Sequence, residues 1–268
     1  MQIYYINLAH RTDRRAFMEA QFERLGLSAT RVEAVTPDQV PQADRAAYCH
    51  PSRPHWLGVT ECACTLSHFR AMRSLLATDA PYALILEDDV VLSPRTPDFL
   101  AQVEARRPQV DLLRIETCEK RLRISPDGSP IAGIEVVRFM GYDSGAGGYV
   151  VSRHGAERVL DDVQSRLRPI DQALFDSFAP MAKRLVVRQA SPGLCIQSRM
   201  AASGVTELKS DLGTGDARPS AEAPWVWRHR LHRFLRALHR DTVLAVRKQW
   251  FVHARGARLV RIPYLAEA

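Results

Sequence analysis

A short apolar run that ends in three consecutive acids constrains this chain most. Residues 84–86 are Leu-Ile-Leu, Glu87, Asp88 and Asp89 follow, and Val90 resumes the apolar pattern. A run of this length and type predicts a buried strand of a parallel sheet, and open α/β sheets bind ligands at the carboxyl ends of their strands. Three neighbouring negative charges need a partner if they are buried, and carboxylate oxygens suit Mg²⁺ or Mn²⁺ better than zinc or copper. We therefore predict a metal site at these acids, with a solvated acidic turn as the alternative.

Charge is distributed unevenly along the 268 residues, whose formal net charge is +7. The segment from Arg228 to Arg261 holds ten Lys or Arg and one acid, a net charge of +9, so the remainder carries −2. This asymmetry predicts that the basic end contacts a membrane surface or a nucleic acid. The opening residues, Met1 to Ile6, lack the basic lead and apolar stretch of a signal peptide and predict a first strand. Five cysteines without zinc-site spacing predict reduced thiols in a cytoplasmic protein.

Strand patterns alternate with helical patterns through residues 1–200. Strands are predicted at about 2–7, 31–34, 82–86, 111–115, 134–139, 149–151 and 186–189. A helix that Thr12 or Asp13 caps and that ends at Gly26 is predicted after the first strand, and further helices are predicted at about 61–77, 97–105, 156–163 and 171–178. This alternation predicts one α/β domain over residues 1–200 with a mixed, mainly parallel sheet. A linker rich in Ala, Ser, Gly, Asp and Pro is predicted at 201–224, followed by a basic amphipathic helical tail at 225–268.

Polar side chains also follow or precede the predicted strands near the N-terminus. Asn7, Arg11 and Arg14 come after the first strand and at the start of a helix, where several donors suit a diphosphate. A solvated first helical turn is the alternative. Ser67 and His68 lie on the helix before the acidic strand. A lone helical histidine is more often a structural hydrogen-bonding group than a catalyst.

Three more polar segments lie later in the domain. Arg114 and Glu116 flank one apolar residue and share a strand face, either at a site or as a surface ion pair. Gly147 and Gly148 lead into a strand and not into a helix, so they do not form a phosphate-binding loop. They indicate either a close backbone approach to a substrate or a plain turn. Asp171 begins a predicted helix, where capping is its simplest role.

In their order along residues 2–200, these segments resemble glycosyltransferase family 25, which includes bacterial lipooligosaccharide galactosyltransferases. The matching segments are Ile6-Asn7-Leu8 with Arg14-Arg15, Glu61 to His68, Leu86 to Val90, Arg114 to Thr117, Gly147 to Arg153, Pro169-Ile170-Asp171 and Leu194 to Gln197. Many members carry Gly-Glu-Ile-Gly-Cys before Ser-His, and this chain has Thr60 to Cys64 there. Residues 42–57 match no pattern of the family.

The resemblance implies a GT-A-like nucleotide-sugar-binding domain and inverting transfer of a sugar, galactose by analogy, from a UDP-sugar. The acceptor it implies is an oligosaccharide or a lipid-linked saccharide of lipopolysaccharide biosynthesis. It implies Mn²⁺ or Mg²⁺ at Asp89, with Asp88 and Glu87 close by, to neutralise the departing UDP. Inversion needs a carboxylate that accepts the acceptor's proton, for which Asp171 is the first candidate and Glu116 the second. The donor-binding residues predicted on this basis are Asn7, Arg11, Arg14, Ser67, His68, Arg114, Gly147 and Gly148.

Residues 225–240 combine an apolar stripe with many arginines. The apolar residues recur at helical spacing between Trp227 and Leu238, and arginines occupy much of the remaining surface. A basic helix of this kind lies in the headgroup plane of anionic lipid. We therefore expect peripheral attachment to the inner face of the cytoplasmic membrane, with packing of the stripe on the core as the alternative.

Two other functional classes stay open on the sequence alone. A metal-dependent phosphoryl-transfer enzyme or hydrolase also suits an acidic strand end, although no dense second cluster of carboxylates and histidines is visible. A nucleic-acid-binding protein would use the basic tail. The core charge of −2 and the lack of a recognised RNA- or DNA-binding motif argue against it.

Overall fold

The computed structural model describes residues 1–49, 56–125, 127–142, 144–201, 246 and 256–266. The strands are β1 (Gln2–Asn7), β2 (Thr30–Glu33), β3 (Tyr82–Glu87), β4 (Val90–Leu92), β5 (Leu112–Arg114), β6 (Arg121–Ile124), β7 (Ser129–Ile131), β8 (Ile134–Val137), β9 (Phe139–Met140), β10 (Gly148–Ser152), β11 (Val187–Ser191), β12 (Cys195–Gln197) and β13 (Arg258–Arg261). The α-helices are α1 (Thr12–Leu25), α2 (Gln42–Tyr48), α3 (Val59–Leu76), α4 (Thr96–Arg106), α5 (Arg153–Asp161) and α6 (Ile170–Phe175). Strands and helices are interleaved along the described chain, so the predicted α/β class is confirmed.

An eight-stranded mixed sheet forms the centre of the protein, in the order β2-β1-β3-β10-β5-β11-β8-β7. Parallel pairing joins β1 to β2, β1 to β3 and β5 to β11, and the other four pairings are antiparallel. The prediction of a mainly parallel sheet is therefore wrong. One cause is β10, which enters between β3 and β5 in the opposite direction. The other is the tight β7–β8 hairpin, whose turn residues Ala132 and Gly133 have φ angles of 50° and 77°. Turns of this kind join antiparallel neighbours without a crossover helix.

Helices cover both faces of the sheet. Along β3, Ala83 and Ile85 pack into one hydrophobic cluster, and Leu84 and Leu86 pack into another on the opposite face. Helices α3, α5 and α6 contribute to the first cluster, and α1 and α4 contribute to the second. A strand buried on both faces needs no polar alternation, which explains the continuous apolar run. The first charged side chain, Glu87, comes where β3 leaves the core.

The described C-terminal segment packs on the domain as a strand. β13 pairs antiparallel with β6, and β6 pairs with β9 in a separate three-stranded sheet. The Thr117 hydroxyl donates a hydrogen bond to the Ile262 carbonyl at 2.6 Å. The prediction of a helical tail over 225–268 is therefore wrong for residues 258–261. The reason is that pairing with β6 supplies hydrogen bonds that the local sequence does not reveal.

The linker predicted at 201–224, apart from Ala201, and the amphipathic helix predicted at 225–240 lie outside the described residues. Among the helices that the structure describes, none combines the length and the apolar character needed to cross a membrane.

Candidate active site at the carboxyl ends of β1 and β3

The ends of β1 and β3 place an amide, an arginine and the acidic residues side by side. The two strands are parallel, with Ile6 opposite Glu87, so Asn7 and the acids leave the sheet at the same edge. The Asn7 side-chain amide donates a hydrogen bond to Asp88 Oδ2 at 2.8 Å. Arg14, in the first turn of α1, donates from Nη1 to Asp88 Oδ1 at 2.6 Å. Residues far apart in the sequence therefore meet at this edge, and the diphosphate contact predicted for Asn7 and Arg14 stays a prediction.

Asp88 is buried, and both of its carboxylate oxygens have partners. Burial raises the pKa of Asp88, while the hydrogen bonds from Arg14 and Asn7 oppose that increase. A buried ion pair with hydrogen bonds on both oxygens is strongly destabilised by the loss of one partner. These contacts show that Asp88 orients Arg14 and Asn7, and they leave its oxygens less open to the predicted metal than those of Asp89.

Asp89 has an oxygen that lacks a partner. Its Oδ2 lies 3.4 Å from Arg14 Nη2, whereas Oδ1 is buried without a hydrogen bond among the described residues. Burial and the negative charge of Glu87 raise the pKa of Asp89 to about 6. An unpaired buried carboxylate oxygen lowers stability, and a cation bound to it would relieve the penalty. The donor set therefore fits Mn²⁺ or Mg²⁺.

Cys64 and His68 lie one turn apart on α3 and face the end of β3. His68 Nε2 is 3.4 Å from Glu87 Oε1, and its Nδ1 is 3.0 Å from the Tyr149 hydroxyl. Donor atoms of Cys64, His68 and Glu87 all lie within 4.8 Å of one another. Burial and the nearby carboxylates raise the pKa of the Cys64 thiol well above its usual range, so at neutral pH it is a thiol and not a reactive thiolate.

Two residues predicted to contact the donor have other partners. The Ser67 hydroxyl donates to the Ala63 carbonyl and accepts from the Val35 backbone N–H, both at 2.8 Å. Arg11 forms an ion pair at 2.9 Å with the exposed carboxylate of Asp13. The contacts of Ser67 are those of a structural hydroxyl, and neither residue gains support as a donor-binding group from its surroundings.

Arg114 and Glu116 form an ion pair inside the protein. Both side chains are 0% exposed, with Arg114 Nη2 3.2 Å from Glu116 Oε2. The Gly147 N–H donates to the same carboxylate oxygen at 2.9 Å, and Arg114 also donates to the Ser144 carbonyl at 2.7 Å. Burial raises the pKa of Glu116 to about 7, and Arg114 opposes the increase. The two side chains lie on one side of the chain as predicted, although β5 ends at Arg114 and Glu116 follows it in an isolated bridge with Cys195. The alternative of a surface ion pair is wrong.

Close packing inside the protein requires glycine at positions 147 and 148. A Cβ atom on Gly147 would lie 3.0 Å from Glu116 Oε1 and 2.9 Å from Val90 Cγ1. On Gly148 it would lie 2.3 Å from Cys195 Sγ. Only glycine lets the backbone approach these side chains so closely. The backbone at these glycines therefore approaches protein side chains closely, and the predicted approach to a substrate stays a prediction.

Asp171 is half-buried in the first turn of α6. Its Oδ2 accepts hydrogen bonds from the Tyr142 hydroxyl at 2.5 Å and from the Gly145 N–H at 3.1 Å. Tyr142 is 40% exposed. The loop that carries Tyr142, Gly145 and Gly147 therefore contacts Asp171 on one side and Glu116 on the other. This places the two candidate bases next to one loop, and Asp171 is the one nearer to solvent.

Three residues at this edge were not identified from the sequence as part of the site. Cys64 carried a usable signal, because its spacing of four residues from His68 puts both side chains on one helix face. Tyr149, which orients His68, directly follows the glycine pair, and its inward direction depends on the pairing of β10. Nothing in the local sequence marks Tyr142.

Comparison with known proteins identifies relatives over nearly the whole chain. A family model described as glycosyltransferase family 25 (LPS biosynthesis protein) matches residues 1–174. The lacto-N-neotetraose biosynthesis glycosyltransferase LgtB of Neisseria gonorrhoeae is 27% identical over 261 residues, which cover 90% of this chain and 93% of LgtB. The lipooligosaccharide biosynthesis protein lic2B of Haemophilus influenzae is 26% identical over 231 residues, covering 79% of this chain and 81% of lic2B.

Solved structures give a weaker similarity. A glycosyltransferase involved in the glycosylation of the major capsid of PBCV-1 matches with a TM-score of 0.40 and 12% identity, covering 73% of this chain and 92% of that chain. The family model covers more than half of this chain, including the acidic triplet and Asp171. The resemblance inferred from the order of the motifs is thereby confirmed. The chain belongs to glycosyltransferase family 25 and is a glycosyltransferase.

Proposed function

We propose that this glycosyltransferase transfers a hexose with inversion, galactose in the first instance, from a UDP-sugar to a saccharide acceptor in lipooligosaccharide or lipopolysaccharide biosynthesis. The family and the roles named for LgtB and lic2B support this reaction. The observation that carries it is the buried, unpartnered Oδ1 of Asp89 at the end of a sheet strand. We further propose that residues 1–200 bind the nucleotide sugar in a GT-A-like manner.

A divalent cation, Mn²⁺ or Mg²⁺, fits this carboxylate edge. Arg14 pairs with Asp88 and Asp89, while the described residues include no lysine or arginine paired with Glu87. Asp89 would hold the cation, with Glu87 beside it and Asp88 keeping Arg14 in position. When bound, the cation neutralises the negative charge that develops on the departing diphosphate.

Arg14 and Asn7 are the proposed diphosphate-side groups of the protein. The Arg14 guanidinium is fixed by two carboxylates, so its positive charge is pre-oriented at the strand ends. Asn7 is held by Asp88 in the same cluster. The buried ion pair of Arg114 and Glu116 has a supporting role. The Glu116 carboxylate accepts a hydrogen bond from the Gly147 N–H and thereby fixes the position of Gly147.

Asp171 is the proposed general base, and Glu116 is a positioning residue. The base must reach the acceptor hydroxyl from the face opposite the departing UDP. Asp171 is half-buried beside the exposed Tyr142, whereas Glu116 is wholly buried under Gly147 and paired with Arg114. The raised pKa of Glu116 suits this carboxyl group to proton transfer. The burial of Glu116 and its ion pair with Arg114, however, separate it from an incoming acceptor.

The proposed place of action is the inner face of the cytoplasmic membrane. A lipid-linked acceptor would be presented there, and the arginines of 225–240 would attract the enzyme to anionic lipid. This part of the proposal rests on the sequence, since these residues lie outside the described part of the chain.

A screen of nucleotide sugars by thermal unfolding tests the donor. Of UDP-galactose, UDP-glucose, a GDP-sugar and a CMP-sugar, each with Mn²⁺, UDP-galactose should raise the melting temperature most. A ligand that binds the native state stabilises it by mass action, by about 2.7 kcal/mol at a concentration of 100 times Kd. Omission of Mn²⁺ or Asp89→Asn should remove the effect, and Asp98→Asn, an exposed acid on α4, is the matched control. Stabilisation by GDP- or CMP-sugars without stabilisation by UDP-sugars would overturn the donor class.

A further inference from the structure

A cysteine, a histidine and a glutamate converge beside the carboxylate of Asp89. Cys64 and His68 are four residues apart on α3, so their side chains leave the same helix face one turn apart. Glu87 is the last residue of β3, which packs against α3. One donor atom from each of the three side chains lies within 4.8 Å of the other two. Three different metal-binding groups therefore face one point.

The His68 ring is held in the orientation that a metal ligand needs. Its Nδ1 lies 3.0 Å from the Tyr149 hydroxyl, and the two rings stack with centroids 5.8 Å apart. The opposite nitrogen, Nε2, points towards Glu87 Oε1 at 3.4 Å. In metal sites, a histidine commonly has one ring nitrogen held by a protein group and the other directed at the ion. His68 and Tyr149 are buried, whereas Cys64 and Glu87 are half-buried, so the cluster can be reached from the Glu87 side.

We propose that Cys64, His68 and Glu87 form a binding site for a Zn²⁺-class cation, which differs from the hard-cation site proposed at Asp89 in its sulfur and imidazole ligands and borders that site at Glu87. Sulfur and imidazole ligands select zinc, whereas Mn²⁺ and Mg²⁺ favour oxygen. Tetrahedral Zn²⁺ with bonds of about 2.0–2.3 Å holds its ligand atoms about 3.4–3.8 Å apart, so small side-chain rotations would close this cluster. Three protein ligands leave a fourth position for water or a substrate oxygen. The site goes beyond the proposed function, because it requires neither a UDP-sugar nor Mn²⁺.

Cobalt is a suitable probe, because Co²⁺ substitutes for Zn²⁺ in tetrahedral sites. Its binding displaces the proton of the Cys64 thiol to solvent, and the cobalt–thiolate bond then gives a near-ultraviolet charge-transfer band. Full-length protein in reducing buffer with excess Mg²⁺, which fills oxygen sites, is titrated with Co²⁺ and then with Zn²⁺. We expect a single tight equivalent with the thiolate band, which Zn²⁺ displaces. Absence of the band from the wild-type protein would overturn the site.

Variants assign the band to these residues. Cys64→Ser should abolish it, and Tyr149→Phe, which removes the group that holds His68, should weaken binding by about 10–100-fold. Cys62→Ser changes another buried thiol of α3 and should keep the band. Asp89→Asn should also keep it, which separates this site from the failure or success of the proposed transfer function. Survival of the band in Cys64→Ser would reject the assignment.

A second readout covers the case in which Cys64→Ser does not fold, as checked by circular dichroism. Zn²⁺ should raise the melting temperature of the wild-type protein and of Cys62→Ser, and this stabilisation should disappear in His68→Gln. Equal stabilisation of His68→Gln and the wild-type protein would overturn the site.

Discussion

The ionised carboxylate of Asp89 is expected to destabilise the metal-free protein, so Asp89→Asn should stabilise it. The Asp89 side chain is 18% exposed, and its Oδ1 has no hydrogen bond among the described residues. Its pKa is raised from 3.8 to about 6, first by burial and then by Glu87. The folded protein therefore binds this proton more tightly than the unfolded chain does. The resulting destabilisation is absent below about pH 4, grows as the pH rises towards 6, and is complete above about pH 7.

The size of the effect follows from the raised pKa. One pKa unit corresponds to about 1.4 kcal/mol, so the change from 3.8 to about 6 corresponds to about 3 kcal/mol at pH 8. Partial solvent contact and relaxation around the side chain reduce the expected gain to about 1–3 kcal/mol. For a chain of this size, that gain raises the melting temperature by about 2–10 °C.

Thermal unfolding followed by circular dichroism measures the difference at pH 8 with EDTA. The control is Asp98→Asn, whose exposed side chain should change stability by no more than about 0.5 kcal/mol. When Mn²⁺ replaces EDTA in the buffer, the melting temperature of the wild-type protein should rise and that of Asp89→Asn should not change. As the pH falls from 8 to 5, the wild-type protein should approach the variant in stability. If Asp89→Asn melts at or below the wild-type temperature at pH 8 while the control is unchanged, the reasoning is refuted.

Three further changes test other parts of the account. Asp88→Ala should lower the free energy of unfolding by about 1–3 kcal/mol in urea titrations, because it removes the buried carboxylate that accepts hydrogen bonds from Asn7 and Arg14. Asp171→Asn should reduce transfer by about 10²–10⁴-fold and leave calorimetric UDP affinity nearly unchanged, since a general base acts on the acceptor side. Glutamine in place of the arginines of 225–240 should abolish co-sedimentation with anionic vesicles, because each basic residue contributes about 1 kcal/mol at such a surface.

For each of these variants, a particular result would contradict the prediction. Unchanged stability of Asp88→Ala would mean that the buried hydrogen bonds from Asn7 and Arg14 contribute little. Loss of UDP affinity together with activity in Asp171→Asn would make that residue a donor or metal ligand, and full activity would make Glu116 the leading base. Equal pelleting of the arginine variant and the wild-type protein would reject docking through the tail. Substitution is preferred to truncation after Ala223, which would also remove β13.

The strand that carries the acidic triplet was predictable because its signal is local. Burial on both faces demands a continuous apolar run, and the charges begin where the strand leaves the core at Glu87. The first strand, predicted at 2–7, was correct for the same reason. The helix end at Gly26 was also predictable, since its φ of 63° is a conformation that glycine adopts without strain. The start of that helix was not, because the capping position is Arg11 and neither Thr12 nor Asp13.

The direction of strands and the depth of side chains were not predictable, because both depend on distant partners. Period two placed Arg114 and Glu116 on one face, but only the covering loop with Gly147 turns that face into the interior. Similarly, the sequence of β10 predicts a strand, but the antiparallel direction of β10 depends on its neighbours β3 and β5. The strand at 258–261 forms because its backbone pairs with that of β6.

Within the acidic triplet, the sequence treats three carboxylates as equivalent and the structure distinguishes them. Asp88 is bound by Asn7 and Arg14, Asp89 keeps an unpartnered oxygen, and Glu87 faces His68. These differences arise from α1 and α3, which pack on the strand end from other parts of the chain. A role for each acid could therefore be assigned only after the side chains were placed.

The need for a divalent cation can be measured directly as the rate of UDP release from UDP-galactose, with the galactosyl group passing to a saccharide acceptor or, in its absence, to water, in Mn²⁺ and in EDTA. We expect release that requires the divalent cation, falls by about 10²-fold or more in Asp89→Asn, and stays at the wild-type level in Asp98→Asn. UDP release that persists in EDTA, or that is unchanged in Asp89→Asn with Mn²⁺ present, would contradict this expectation.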